Sequence, residues 1–163
     1  MTDPAGLPST SDLPQGVSIT RIAGLLVPDG WTLDDAGALR RRWPQLEIAI
    51  TMQSTDGVLL LFRGSHVGAP IPLERRRAVE AFANDWHRSR IWPTIAVSTT
   101  ESAVVMQTHL GVDVTAGLTT AQLDDYLRIG IGTTHQFFAT AAESAILPSL
   151  PETGGASADP EAG

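Results

Sequence analysis

Residues Trp86 to Pro93, WHRSRIWP, place two tryptophans, one histidine and two arginines in eight positions. Three kinds of chemistry use such a mixture. An imidazole beside guanidinium groups can form a catalytic corner. Arginines interleaved with indoles can clamp nucleic acid. A tryptophan followed by basic residues can close a helix, and this third use fits the spacing best. Trp86 follows Phe82 by four, so both lie on one helical face. His87, Arg88 and Arg90 fall at the helix end, where positive charge suits the macrodipole. Trp92-Pro93 leads into the next strand, because the residue before proline avoids helical backbone. The expectation is a helix-to-strand joint built from Trp86, Arg90, Trp92 and Pro93.

Other candidate groups are more scattered. The four histidines, His66, His87, His109 and His135, form no H-x-x-x-H pair and no H-E-x-x-H motif. No metal and no cofactor are expected. Ser65 stands beside His66 in RGSHVG, but adjacent residues seldom align for proton transfer, and the G-x-S-x-G turn is missing. The pair reads as part of a loop. Gly130 and Gly132 in RIGIGTTHQ lie within a helical pattern, so they suit the close approach of a neighbouring element better than a phosphate loop.

Two basic runs remain. In a strand, Arg40 and Arg42 share one face while Leu39, Arg41 and Trp43 share the other. Glu47 can pair with them across a hairpin. This is either a solvated sheet face or an arginine-rich contact surface, with Arg40, Arg42, Trp43 and Arg63 as its partner-binding residues. Arg75, Arg76 and Arg77 lie in the first turns of a helix, where the dipole disfavours them. Glu74, Glu80, Asp34 or an acidic partner would relieve that.

Composition narrows the chemistry. The chain has 163 residues and no cysteine, which excludes a thiol nucleophile, a disulfide framework and sulfur-ligated zinc. All eleven basic residues are arginine, so Schiff-base and P-loop lysines are absent. The formal net charge of −7 repels phosphate and argues against nucleic acid. Much of that charge is at the ends. Asp3, Asp12, Glu152, Asp159 and Glu161 fall in Pro-, Gly- and Ser-rich stretches, residues 1–16 and 148–163. Such stretches bury too little apolar surface to offset their ordering entropy, so both are expected to be flexible tails around one domain, 17–147. The domain is then close to about −2, which weakens the argument against nucleic acid. No signal peptide pattern and no apolar run of about 18 residues is visible, so a cytoplasmic protein without a membrane span is expected.

These groups must be positioned by an α+β domain. Ser18 caps a short helix carrying Ile22, Leu25 and Leu26, ended by Pro28 and Gly30. ALRRRWPQ, LEIAITMQ and VLLLFRG follow as strands, the last two joined by a turn at STDG, where Asp-Gly tolerates positive φ. SHVGAPIP breaks the pattern, and Pro72 suits a first helical turn. The next helix has the stripe Ala78, Val79, Phe82, Ala83 and Trp86. TIAVST and AVVMQTHL are two more strands. Thr119 and Gln122 form a capping box for a last helix with Leu123, Leu127, Gly130, Ile131, Thr134, Phe137, Phe138 and Ala141 on one face. The predicted order is α-β-β-β-α-β-β-α.

Three segments carry a family resemblance. WHRSRIWPTIAV is similar to W-N-x-x-x-x-W-P-x-x-x-V of the actinobacterial YbjN-type proteins, described as bacterial sensory transduction regulators. GLTTAQLDDYLRIGIGTTHQFF, Gly117 to Phe138, resembles their G-x-T-x-x-Q-L…G-x-x-x-x-x-Q-F-F pattern. GWTLDDAGALRRRW, Gly30 to Trp43, resembles their N-terminal part. His87 stands where asparagine is usual. The resemblance implies a fold like type III secretion chaperones, with a five-stranded antiparallel sheet, and it implies a homodimer that binds another polypeptide.

The reading that follows is a non-catalytic, chaperone-like or regulatory protein that binds a protein partner through a sheet edge or an apolar groove. The alternative is a small-molecule or phosphate-group binder using Arg40, Arg42, Arg63 and a histidine. A third possibility, nucleic-acid binding through Arg75 to Arg77 and Trp86, is disfavoured.

Overall fold

Alternating apolar and polar residues in LEIAITMQS form the central strand of an antiparallel sheet, and its neighbours extend that pattern on both sides. The computed structural model describes residues 13–148. Helix α1 (Ile19–Leu26) is followed by strands β1 (Thr32–Leu33), β2 (Leu39–Arg42), β3 (Leu46–Ser54) and β4 (Val58–His66). Helix α2 (Arg76–Ser89), strands β5 (Thr94–Thr99) and β6 (Val104–Asp113), and helix α3 (Thr120–Glu143) complete it. The spatial order is β1-β2-β3-β4-β6-β5, with every neighbouring pair antiparallel.

The sheet has six strands where five are expected. The added strand is the two-residue β1, too short to show a period in sequence. It forms because Gly30 (φ 86°) and Gly37 (φ 78°) adopt left-handed backbone on either side of it. The Asp34–Gly37 turn then folds Thr32 and Leu33 against Arg40 and Leu39.

Three further expectations change. β4 runs on to His66, so Ser65 and His66 lie in a strand rather than a loop. The turn after Ser54 is in the expected place, but neither Asp56 nor Gly57 has positive φ. Gly57 is small for another reason: a Cβ there would lie 2.8 Å from Thr115 Oγ1, which accepts from Val58 N–H at 2.8 Å. Pro72 caps a 3₁₀ turn, Leu73–Arg75, and α2 starts only at Arg76.

All three helices pack on one sheet face. Ile22 and Leu26 of α1, Val79, Ala83 and Trp86 of α2, and Leu123, Leu127, Phe137, Phe138 and Ala141 of α3 meet Leu39, Ile48, Ile50, Leu60, Phe62 and Met106 of the sheet. Ala78, expected on the α2 stripe, is exposed. Ser18 accepts from Arg21 N–H, and the Thr119–Gln122 capping box is complete. Gly130 lets α3 sit close to the sheet, since a Cβ there would meet the Phe62 ring at 2.6 Å. Gly132 has no such neighbour. After α3, Ala145 turns the chain with left-handed backbone, and Ile146 and Leu147 bury against the core. Of the expected N-terminal tail, Gln15 pairs with Leu118 through two backbone hydrogen bonds; residues 1–12 and 149–163 lie outside the described residues. None of the described helices is long and apolar enough to cross a membrane.

Candidate functional site

The open sheet face collects the expected arginines only in part. Strand register aligns Arg40, Ala49, Arg63 and His109 in one row across β2, β3, β4 and β6. Arg40 is already neutralised: its Nε lies 2.6 Å from Asp34 and its Nη1 3.0 Å from Glu47. The Arg40 hydrogen bond holds the Asp34 carboxyl below its usual range. Arg42 reaches only the Val67 carbonyl, at 3.4 Å. Arg63 has no acceptor among the described residues. It lines a shallow 240 Å³ depression with His109, Ala49, Thr51, Leu61 and Gly111. Partial burial, and then the Arg63 charge, push the His109 imidazole below its ordinary range.

At the joint, Trp86 is 3% exposed and meets Phe137 edge-on at 5.0 Å. Arg90 stacks on its outer face at 4.0 Å. His87 Nε2 accepts the Ile95 backbone N–H at 2.8 Å, tying α2 to β5. Pro93 is buried, whereas Trp92 stays 47% exposed. Trp86 Nε1–H is buried without an acceptor among the described residues.

Trp43 follows the end of β2 and leaves the open face altogether. Period-two alternation puts it with Arg41 on the helix side, against α3. Its indole meets Trp31 at 6.0 Å and the His135 ring at 4.2 Å, both edge-on, and Arg41 lies over it at 5.0 Å. Arg41 has no ion pair and no hydrogen bond among the described residues. Burial, and then the Arg41 charge, keep the His135 imidazole below its ordinary range.

Two clefts share Trp43 as a wall. One, of about 400 Å³, runs past Asp29, Trp31, Arg41, Asp124, Arg128 and Gly132. The other, about 240 Å³, is lined by Pro44, Gln45, Leu46, His135, Phe138, Ala139 and Ala142. The small residues Gly132, Ala139 and Ala142 face these clefts from α3. This corner can hold an apolar side chain against indole beside a guanidinium that makes no ion pair among the described residues, with Asp29 and Asp124 lining the same cleft. The sequence places Arg41 and Trp43 on one strand face, but only Trp43 was expected as a contact residue, and it does not bring Trp31 and His135, far apart in the chain, to the same place.

Other candidates come apart. Ser65 and His66 lie on opposite faces of β4; Ser65 Oγ accepts from Gln107, and the His66 ring nitrogens lie 3.1 Å from the Gln45 carbonyl and 2.8 Å from the Ala69 carbonyl. Arg76 pairs with Glu80 at 2.7 Å, and Arg75 donates to the Ala145 carbonyl at the C-terminal end of α3, where a cation suits the dipole. Trp86 is buried, so Arg75 to Arg77 and Trp86 form no joint surface for nucleic acid. No group of three His, Cys, Asp or Glu side chains suited to a metal occurs among the described residues.

Comparison with known proteins gives two findings. The family model described as "Putative bacterial sensory transduction regulator", YbjN, matches residues 18–143. A solved structure titled "YbjN, a putative transcription regulator from E. coli" superposes with a TM-score of 0.66 at 12% identity, covering 82% of this chain and 96% of that one. At that identity the likeness is one of fold. No sequence among the curated proteins matches significantly.

Proposed function

The chain belongs to the YbjN family of bacterial regulators, and from that premise we propose that it is a non-catalytic regulatory protein that binds another polypeptide at the Trp43 corner. One observation carries this reading: Trp43 stands half-buried between two clefts with the unpaired Arg41 on its face. Tryptophan and arginine in a partly dry pocket are the residue types that anchor protein interfaces. The partner offers an apolar side chain to the indole and a carboxylate to Arg41. The proposal includes a chaperone-like mode of action as a homodimer, which the family resemblance implies, and a cytoplasmic site of action. Light scattering and cell fractionation test these two parts. The central test immobilises the full chain and its Trp43→Ala variant, with circular dichroism to check folding. A partner retained by the first and lost by the second supports the corner. Equal capture by both removes it.

A second reading, anion binding on the open face, is favoured by Arg63, which has no acceptor among the described residues and adjoins His109 in one depression. It expects a rise in melting temperature with phosphate that Arg63→Ala abolishes. No rise with the unmodified chain ends it.

A further inference from the structure

We propose that the larger cleft, between Trp31 and Trp43, binds a free α-amino acid with an apolar side chain. This goes beyond the polypeptide reading, which uses the same guanidinium, and does not depend on it. The cleft holds about 400 Å³, within the range of small-molecule sites. Two carboxylates and two guanidiniums line it: Asp29, Asp124, Arg41 and Arg128.

The first argument is which of these charges the fold has already satisfied. Arg128 pairs with Asp125 on its own helix and lies 3.7 Å from Asp124. Asp29 and Arg41 are left over. Among the described residues neither makes an ion pair or a side-chain hydrogen bond, with the other or elsewhere. One cavity wall therefore carries a carboxylate and a guanidinium too far apart to pair directly. A simple anion would match Arg41 but meet the carboxylates of Asp29 and Asp124. A simple cation would match Asp29 but meet Arg41. A nucleotide or sugar phosphate would bring excess negative charge past both acids. A small molecule carrying both charges satisfies both groups: its ammonium donates to Asp29, and its carboxylate accepts two parallel N–H bonds from Arg41. Arg41 is already held over the Trp43 ring at 5.0 Å, so little ordering remains when a carboxylate arrives.

The second argument is the apolar surface beside those charges. Trp31 and Leu127 are buried beneath the cleft, and Trp43 and Ile131 are half-buried at its sides. Gly132 keeps it open, since a Cβ there would meet nothing within 4 Å. A zwitterionic head joined to one branched or aromatic side chain is the constitution of leucine or phenylalanine.

The test titrates the full chain with L-leucine and L-phenylalanine by calorimetry and by tryptophan emission, which Trp31 and Trp43 report from the site. Each amino acid is compared with analogues lacking one charge: isocaproate and hydrocinnamate without the ammonium, isoamylamine and phenethylamine without the carboxylate. At least one of the two amino acids should bind, and its one-charge analogues should bind at least about tenfold more weakly. Asp29→Asn should lower the amino acid to the affinity of its carboxylate analogue, and Arg41→Gln to that of its amine analogue. Gly132→Leu, which fills the cleft, should abolish binding. Circular dichroism confirms that each variant is folded, and the analogue series on the unmodified chain needs no variant at all. Analogues that bind as tightly as their parent would overturn the proposal. So would the absence of heat and emission change with both amino acids at about 10 mM. No readout involves a protein partner, so this site and the polypeptide reading can each fail alone.

Discussion

The Trp86 joint and the Trp43 corner use the same residue types, a tryptophan, an arginine stacked on it and a histidine beside it, yet they differ in what is left over. At the joint Trp86, His87 and Arg90 all have internal tasks; left over among the described residues are one indole N–H and the half-exposed Trp92. Trp86 fills the core, Arg90 covers it, and His87 holds the Ile95 amide. At the corner the tryptophan is half-buried, the arginine makes no ion pair among the described residues, and two clefts open beside it. Composition alone does not separate a structural cluster from a binding one. The separation comes from counting which donors, charges and apolar faces the fold has already satisfied.

The sharpest way to break that contrast is to truncate both tryptophans. Trp86→Ala should cost roughly 3–5 kcal/mol in denaturant unfolding, as a large aromatic lost from a packed core does. Trp43→Ala should cost only about 1–2 kcal/mol, because less of its surface is buried, while abolishing partner capture. Equal stability losses would mean that the corner is simply core. Next in size, Gly130→Ala should cost about 1–3 kcal/mol through its clash with Phe62, whereas Gly132→Ala, with open space beside it, should leave stability unchanged or slightly raised. At the joint, His87→Ala should cost about 1 kcal/mol by leaving the Ile95 amide without its acceptor. His87→Asn should recover part of that if the amide oxygen reaches the same N–H.

The smallest expected effect is that of pH. Burial, with the Arg41 charge second, holds His135 below its ordinary value of 6.5. The unfolded chain therefore takes up this proton first as the pH falls through about 6.5, and stability declines from there toward the lower folded value. Above that window the group contributes no pH dependence. His109, lowered by burial and Arg63, adds the same sign. Melting temperature should fall from pH 7.5 to 5.5, and His135→Gln should flatten part of the slope. An unchanged slope would place His135 in water, outside the corner.

The α+β class was legible because β3, α2 and α3 each repeat a strong period, and because Ser18, Thr119 and Gln122 are local caps whose partners lie within a few residues. The strand β1 was not, since two residues hold no period and its formation depends on positive φ at Gly30 and Gly37. The joint was visible because its residues are contiguous. The corner was half visible: Trp43 was chosen, but grouped with Arg40, Arg42 and Arg63 rather than Arg41. Alternation along β2 already divides these faces. What it leaves out is that residues 31 and 135 arrive at the same place, which only the packing of α3 across β2 decides.

The His87 hydrogen bond has a consequence for how the molecule keeps to itself. The sheet ends in β1 on one side and β5 on the other, and unpaired strand edges are the usual templates for runaway cross-β stacking. β1 offers two residues. On β5, an imidazole rather than a neighbouring chain occupies the amide of Ile95. One rim is thus too short and the other partly plugged from within, so fibre growth by strand addition finds little to build on, and visitors are directed to the clefts and the flat face instead.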